Sequence, residues 1–278
     1  NCYSNDCGDE VNHKLDIDRY TRLLQAVASM SRLYSDNTIP YVDSRFVEKL
    51  FIETTGAKDL SRIDKSFDAL LAPDVGVGIK TFLSASGNSK REKVAEFTKL
   101  ASNGEFDGLS PEELALKAAI FRNNRVLSDA NELAINIEKS IYHCLVRTGN
   151  GAVVHEEPYA LVEIENLRPT DRSGRILKKW QAIGKSVFFS DGVSNYNFNG
   201  SKNVLFKEFK FESDTEFIEL PIFVDVFDRI TKWYDGADTQ AINVSDELGK
   251  EWTERQDILL TIYKKDDNGE RDYEYRWE

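Results

Sequence analysis

The stretch FDALLAPDVGVGIKTF, from Phe67 to Phe82, constrains the fold of this chain more than any other. Two apolar runs, Phe67–Leu71 and Val77–Phe82, flank Ala72-Pro73-Asp74-Val75-Gly76, whose proline and glycine suit a turn. Apolar runs of this length read as paired strands of a buried sheet. Lys80 interrupts the second run. Lysine is poorly suited to a buried strand, so its presence asks for a reason. Side chains alternate along a strand, which sets Gly78 and Lys80 on one face. If the hairpin closes at the turn, Asp68 lies roughly opposite Ile79 or Lys80; a slip of one residue would move it to the other face.

Helical signals surround this hairpin. Leu15, Tyr20, Leu23, Leu24, Val27 and Met30 recur at helical spacing between Leu15 and Leu33. Asp43 or Ser44 caps a second helix, SRFVEKLFIETTG, which stops at Gly56. SKREKVAEFTKLAS reads as a third helix, and Ser110, Pro111 and Glu113 open a fourth with a capping box. Another helix is expected from about Ser128 to Glu138. IYHCLVRTGNGAVVHEEP reads as strand, turn and strand, and YALVEIENL as a further strand. In the second half, SVFFSDGVSNYNFNGSKNVLFKEFKF suggests strands and turns, and IFVDVFDRITKWY suits either strand or helix. DILLTIYKK and YEYRWE read as strands. The expected class is α/β, a mixed central sheet flanked by helices with a β-rich C-terminal part. Residues 1–40 form a helical region, 41–165 the core, and 166–278 the β-rich part, continuous with the core.

With 278 residues, 41% hydrophobic and 30% charged, the composition is that of a soluble globular protein with ample core. No apolar window is long enough to span a membrane, and NCYSNDCGDE lacks the basic and apolar regions of a signal peptide. Cys2, Cys7 and Cys144 make no disulfide framework, and Cys144 lies in an apolar run; a reducing, cytoplasmic setting is expected. His13, His143 and His155 show no metal spacing. The net charge of −12 argues against a general nucleic-acid coat. Its distribution is uneven, however: Arg168 to Lys210 carries nine basic residues against three acidic ones, and Phe211 to Glu278 eight against nineteen. The basic block is either an electrostatic footprint or a solvated loop region.

An aspartate and a lysine on adjacent strands suit a metal-dependent phosphodiesterase. The carboxylate holds Mg²⁺, which polarises a phosphate and activates water, and the ammonium steadies the transition state. The plain alternative is a solvated cross-strand ion pair. The Asp strand followed by Gly-Ile-Lys resembles the core of the PD-(D/E)xK nucleases, the superfamily of many type II restriction endonucleases. RFVEKLFIETTGAKDLSRIDKSFDALL, VGVGIKTFL, KVAEF and FFSDGVSNYNFNGSKNVLFKEF are similar to a group of bacterial members, over most of Tyr41 to Phe209. The chain departs from the pattern at Gly78, where the family carries an acid. Asp74 follows a proline but stands too close to Gly78 for two paired strands, so Asp68 takes the aspartate's place.

The resemblance implies a restriction-endonuclease-like core and Mg²⁺-dependent, site-specific cleavage of double-stranded DNA, most simply by a homodimer. Asp68 and Glu96 would bind metal, Glu96 replacing the missing acid from the next helix with Glu92 as the alternative. Lys80 would stabilise the transition state. Glu48 on the leading helix would support the site, with Glu53 in reserve. Asn195, Asn197, Asn199, Ser201, Lys202 and Lys207 would face DNA, since asparagine reads adenine edges and lysine meets phosphate or guanine. The same residues also suit a turn-rich β segment. Arg147 is a further candidate phosphate contact. A non-catalytic DNA-binding protein on a degenerate nuclease fold is the rival reading. A metal-free phospholipase-D-type nuclease needs His-x-Lys, which the chain lacks.

Overall fold

The computed structural model describes residues 15–84, 88–149, 151–211 and 217–234. Its elements begin with α1, Ile17–Ser29, and α2, Ser44–Thr55. Asp16 caps α1 by accepting the Arg19 N–H at 3.0 Å, and Asp43 caps α2 by accepting the Arg45 N–H at 2.9 Å. Gly56 ends α2 at φ 69°, a left-handed conformation that glycine adopts freely. Strands β1 (Lys58–Asp59), β2 (Ala69–Leu71), β3 (Val75–Leu83) and β4 (Ser89–Glu96) follow, then α3 (Thr98–Ser102) and α4 (Pro111–Leu133). Next come β5 (Ile141–Arg147), β6 (Gly151–Pro158), β7 (Arg168–Pro169), β8 (Ala182–Ile183) and β9 (Ser186–Ser190). The last elements are β10 (Asn195–Asn199), β11 (Val204–Lys210), β12 (Phe217–Glu219) and α5 (Val226–Tyr234).

The strands form two sheets. The first runs β1-β2-β3-β5-β6-β12 and is mixed, because β3 and β5 are parallel while the other neighbours are antiparallel. The second runs β4-β11-β10-β9-β7, with β8 on β9, and is antiparallel throughout. The chain is therefore a mixed α/β protein. Helices α1 and α2 cover one face of the first sheet: Tyr20, Leu24, Val47, Leu50 and Phe51 pack with Val77, Ile79 and Leu145. On the other face Phe82, Tyr142, Cys144 and Val146 meet Val126 and Ala130 of α4 and Phe209 of β11. Further along α4, Ala115, Ala118 and Ala119 pack against Val187, Phe189, Tyr196, Phe198 and Leu205. Helix α4 thus joins the cores of both sheets, and Lys80, sharing the Phe82 face, points between them.

Three expectations are corrected. SKREKVAE is strand β4, followed by the short α3, so Glu92 and Glu96 do not sit on a helix. Its residues favour helix locally, but β11 offers a complementary edge, pairing Arg91 with Glu208 and Glu92 with Lys207. The two helices expected between Pro111 and Glu138 are one helix ending at Leu133, since no breaker interrupts it. Segment 159–167 is irregular rather than a strand. The Asn123 side chain donates to the Val162 carbonyl at 2.8 Å and accepts its N–H at 2.9 Å, replacing a strand partner. The segment IFVDVFDRITKWY resolves as helix α5 from Val226 onward. Cys2, Cys7, His13, DILLTIYKK and YEYRWE lie outside the described residues. Among the described residues no helix is long and apolar enough to cross a membrane.

Candidate active site

The hairpin brings Asp68 to Lys80 through its backbone. Ala69 pairs with Val77, and continuing that register sets Asp68 across from Gly78. The Asp68 N–H donates to the Val77 carbonyl at 2.8 Å, and Asp68 Oδ2 accepts the Ile79 N–H at 2.7 Å. Here the carboxylate takes over from the backbone as the partner of β3, so the strand edge beyond Val77 opens into a cleft. That cleft, of about 280 Å³, is bordered by Asp68, Lys80, Glu96, Arg122, Tyr142 and Tyr159, among others. Two of its walls come from β3 and β5, which run in parallel register with Gly78 beside Tyr142 and Lys80 beside Cys144.

Gly78 lacks an acid for a packing reason. A Cβ there would lie 2.7 Å from the Tyr159 ring and 2.9 Å from the Tyr142 ring. Those rings stack with centroids 4.2 Å apart, filling the space over the glycine.

The other predicted carboxylates divide. Glu48 borders a second groove, of about 430 Å³, with Arg45, Lys49 and Arg62. Burial raises its pKa above the ordinary glutamate value, the Asp68 charge raises it further, and Lys80 and Arg45 oppose the shift. Glu48, Asp68 and Lys80 therefore sit within electrostatic reach of one another. Glu92 is half-buried; burial raises its pKa, while Lys90 and Lys80 pull it down. Glu96 is tied to Lys93 at 3.0 Å and Thr98 at 2.9 Å, which hold its pKa low. Glu53 pairs with Arg19 at 2.6 Å. Among the described residues no three His, Cys, Asp or Glu side chains converge as a metal cluster. Mg²⁺ asks for less: it keeps several waters and takes one or two carboxylates together with substrate phosphate. Asp68 borders the cleft and Glu48 the second groove, and their charges repel, so these are the two carboxylates such an ion would draw on.

The predicted DNA contacts are not brought together on one open face. Lys207 is 3% exposed and pairs with Glu157 between the sheets. Asn197 is buried as well. Asn195 donates to Glu208 at 2.7 Å, and Asn199 Oδ1 accepts the N–H groups of Ser201 and Lys202 at 3.0 and 3.1 Å, setting the hairpin turn. Ser201 lies on that exposed turn, and Lys202 beside it. Arg147 donates to the Pro40 carbonyl at 2.9 Å and lies over the Tyr41 ring. Besides Lys202 and Lys210, the exposed cations of the basic block are Arg168 on β7 and Arg172, Arg175, Lys178, Lys179 and Lys185 on the arm that leads from β7 to β9. His143 is a core group, with Nδ1 2.8 Å from Glu156 and Nε2 3.1 Å from the Tyr20 hydroxyl.

Fold and site together define a mixed α/β protein with a charged cleft between two sheets, built around an aspartate just before β2 and a lysine on the neighbouring β3. No family model, no curated protein and no solved structure matches the chain.

Proposed function

We propose that this protein is a Mg²⁺-dependent, site-specific endonuclease of double-stranded DNA, of the type II restriction kind, on a restriction-endonuclease-like core. The observation that carries the reading is the shared cleft of Asp68 and Lys80, with Glu48 in electrostatic reach of both. Asp68 and Glu48 would hold the ion; Glu96 would join only by releasing Lys93. When bound, Mg²⁺ supplies Lewis-acid charge to the phosphoryl oxygens and acidifies water. The Ile79 N–H fixes Asp68 Oδ2, which leaves Oδ1 directed by a rigid strand end. Lys80 donates to a non-bridging oxygen as its charge grows. Water attacks phosphorus in line, the P–O3′ bond breaks, and a 5′-phosphate and 3′-hydroxyl result. Cutting both strands requires two such sites, which a homodimer supplies.

One observation favours a second reading. The aromatic packing over Gly78 closes the family's acid position, as expected of a DNA-binding protein that has lost catalysis. Incubation with long mixed-sequence DNA separates the two. Discrete bands in Mg²⁺ and none in EDTA support the endonuclease. DNA binding with no cleavage in either supports the binder.

A further inference from the structure

Arg122 is the largest side chain that the fold buries completely, at 1% exposure, and no carboxylate among the described residues pairs with it. Its partners are weak. Nη1 donates to Asn123 Oδ1 at 3.3 Å, an oxygen already shared with the Val162 N–H. Nη2 donates to the Tyr142 hydroxyl at 3.2 Å, and Nε has no partner. The guanidinium also lies 5.5 Å from the Tyr159 ring centroid. Guanidinium carries five N–H donors and does not shed its charge in proteins. Burying such a group without an anion is costly, and departures of this kind from the usual rules concentrate at functional sites. Arg122 borders the same cleft as Lys80 and Tyr142, and that cleft is large enough for a phosphate.

We infer that Arg122, Lys80 and the Tyr142 hydroxyl form a phosphate-binding pocket at the floor of the cleft. The planar fork of Arg122 takes two phosphate oxygens, and Lys80 takes a third from the strand side. The inference rests on and deepens the phosphodiesterase reading by naming the group that holds the terminal 5′-phosphate that cleavage generates. The ligand is a phosphate carried by a nucleic-acid end or present as free phosphate.

The test is calorimetric titration in EDTA, which forbids cleavage, with inorganic phosphate, a 5′-phosphorylated oligonucleotide and its unphosphorylated twin. Wild type is expected to bind the phosphorylated strand more tightly than its twin, and equal affinity for the two without binding of inorganic phosphate overturns the inference. A preference for inorganic phosphate over both strands identifies free phosphate as the ligand. Arg122→Met is expected to weaken phosphate binding by about tenfold or more, with an unliganded melting temperature equal to or above wild type. The conservative Arg122→Lys keeps the charge and loses the fork, so several-fold weaker binding is expected. It serves as the test if Arg122→Met does not fold. No phosphate binding by wild type, or wild-type affinity in Arg122→Lys or a folded Arg122→Met, overturns the inference. Cleavage without phosphate binding defeats the pocket alone, and phosphate binding without cleavage in Mg²⁺ defeats the endonuclease alone.

Discussion

Two tyrosine rings leave Gly78 no room for a side chain, and that decides what the neighbouring site can use. An acid placed there would have to displace Tyr142 and Tyr159 and bury its own charge. Gly78→Asp is therefore expected to destabilise the protein by about 2–4 kcal/mol, read as a lower denaturant midpoint, without gain of activity. Wild-type stability in that variant would contradict the packing account. Glu48 makes a prediction in pH. Its folded pKa is raised, by burial first and Asp68 second, so the folded state holds its proton more tightly than the unfolded state. The stability it contributes is complete below the ordinary glutamate pKa and is lost as pH rises through the folded value. Glu48→Gln removes that loss. Its melting temperature should match wild type at low pH and meet or exceed it at neutral pH. A variant less stable than wild type at neutral pH would show that the carboxylate is stabilising. Asp59 runs the other way: bonds from Lys49 and Ser61 lower its pKa to about 2, so its contribution is complete above the ordinary aspartate pKa and is lost as pH falls from there through the folded value.

Among the elements, β4 and β11 show what a chain read locally conveys and what it does not. Helix α2 was legible at both ends, because Asp43 and Gly56 act within one turn. The β2–β3 and β5–β6 hairpins were legible for the same reason, but the register of the first was not: β3 begins at Val75, inside the expected turn, which sets Asp68 across from Gly78 rather than from Ile79 or Lys80. Strand β4 was not, because its residues suit a helix and the strand that recruits it lies far along the chain. The error carried into the site, setting Glu92 and Glu96 on a helix. Lys207 was misread for a related reason: its burial depends on Glu157 and on the Phe209 ring beneath it, which no local pattern announces. That ion pair joins the two sheets. Lys207→Met leaves His155 as the remaining partner of Glu157 and is expected to cost about 2–3 kcal/mol, whereas Lys207→Met with Glu157→Leu should recover most of it. Denaturant unfolding of the single and double variants measures the difference. Additive losses would place the pair's role in packing rather than charge compensation.

At the scale of the whole molecule, the proposed endonuclease, being acidic, would need a local basic surface to meet DNA, and the arm from Arg168 to Lys185 carries six exposed cations. Replacing Arg172, Lys178 and Lys179 with alanine should weaken DNA binding across sequences. The slope of log affinity against log salt should fall by about 0.9 for each phosphate the variant no longer neutralises. Fluorescence anisotropy over a salt series reads both quantities, and an unchanged slope would remove the arm from the interface. The central claim concerns the cleft, and its most direct measurement is the single-turnover cleavage rate on DNA in Mg²⁺. Asp68→Asn, Lys80→Ala and Glu48→Gln are expected to lose about a hundredfold or more with the fold retained, with DNA affinity also retained in Asp68→Asn and Glu48→Gln, while Glu96→Ala keeps most of the rate. Wild-type rates in Asp68→Asn and Lys80→Ala, or a wild type that binds DNA without cutting it, would contradict the account.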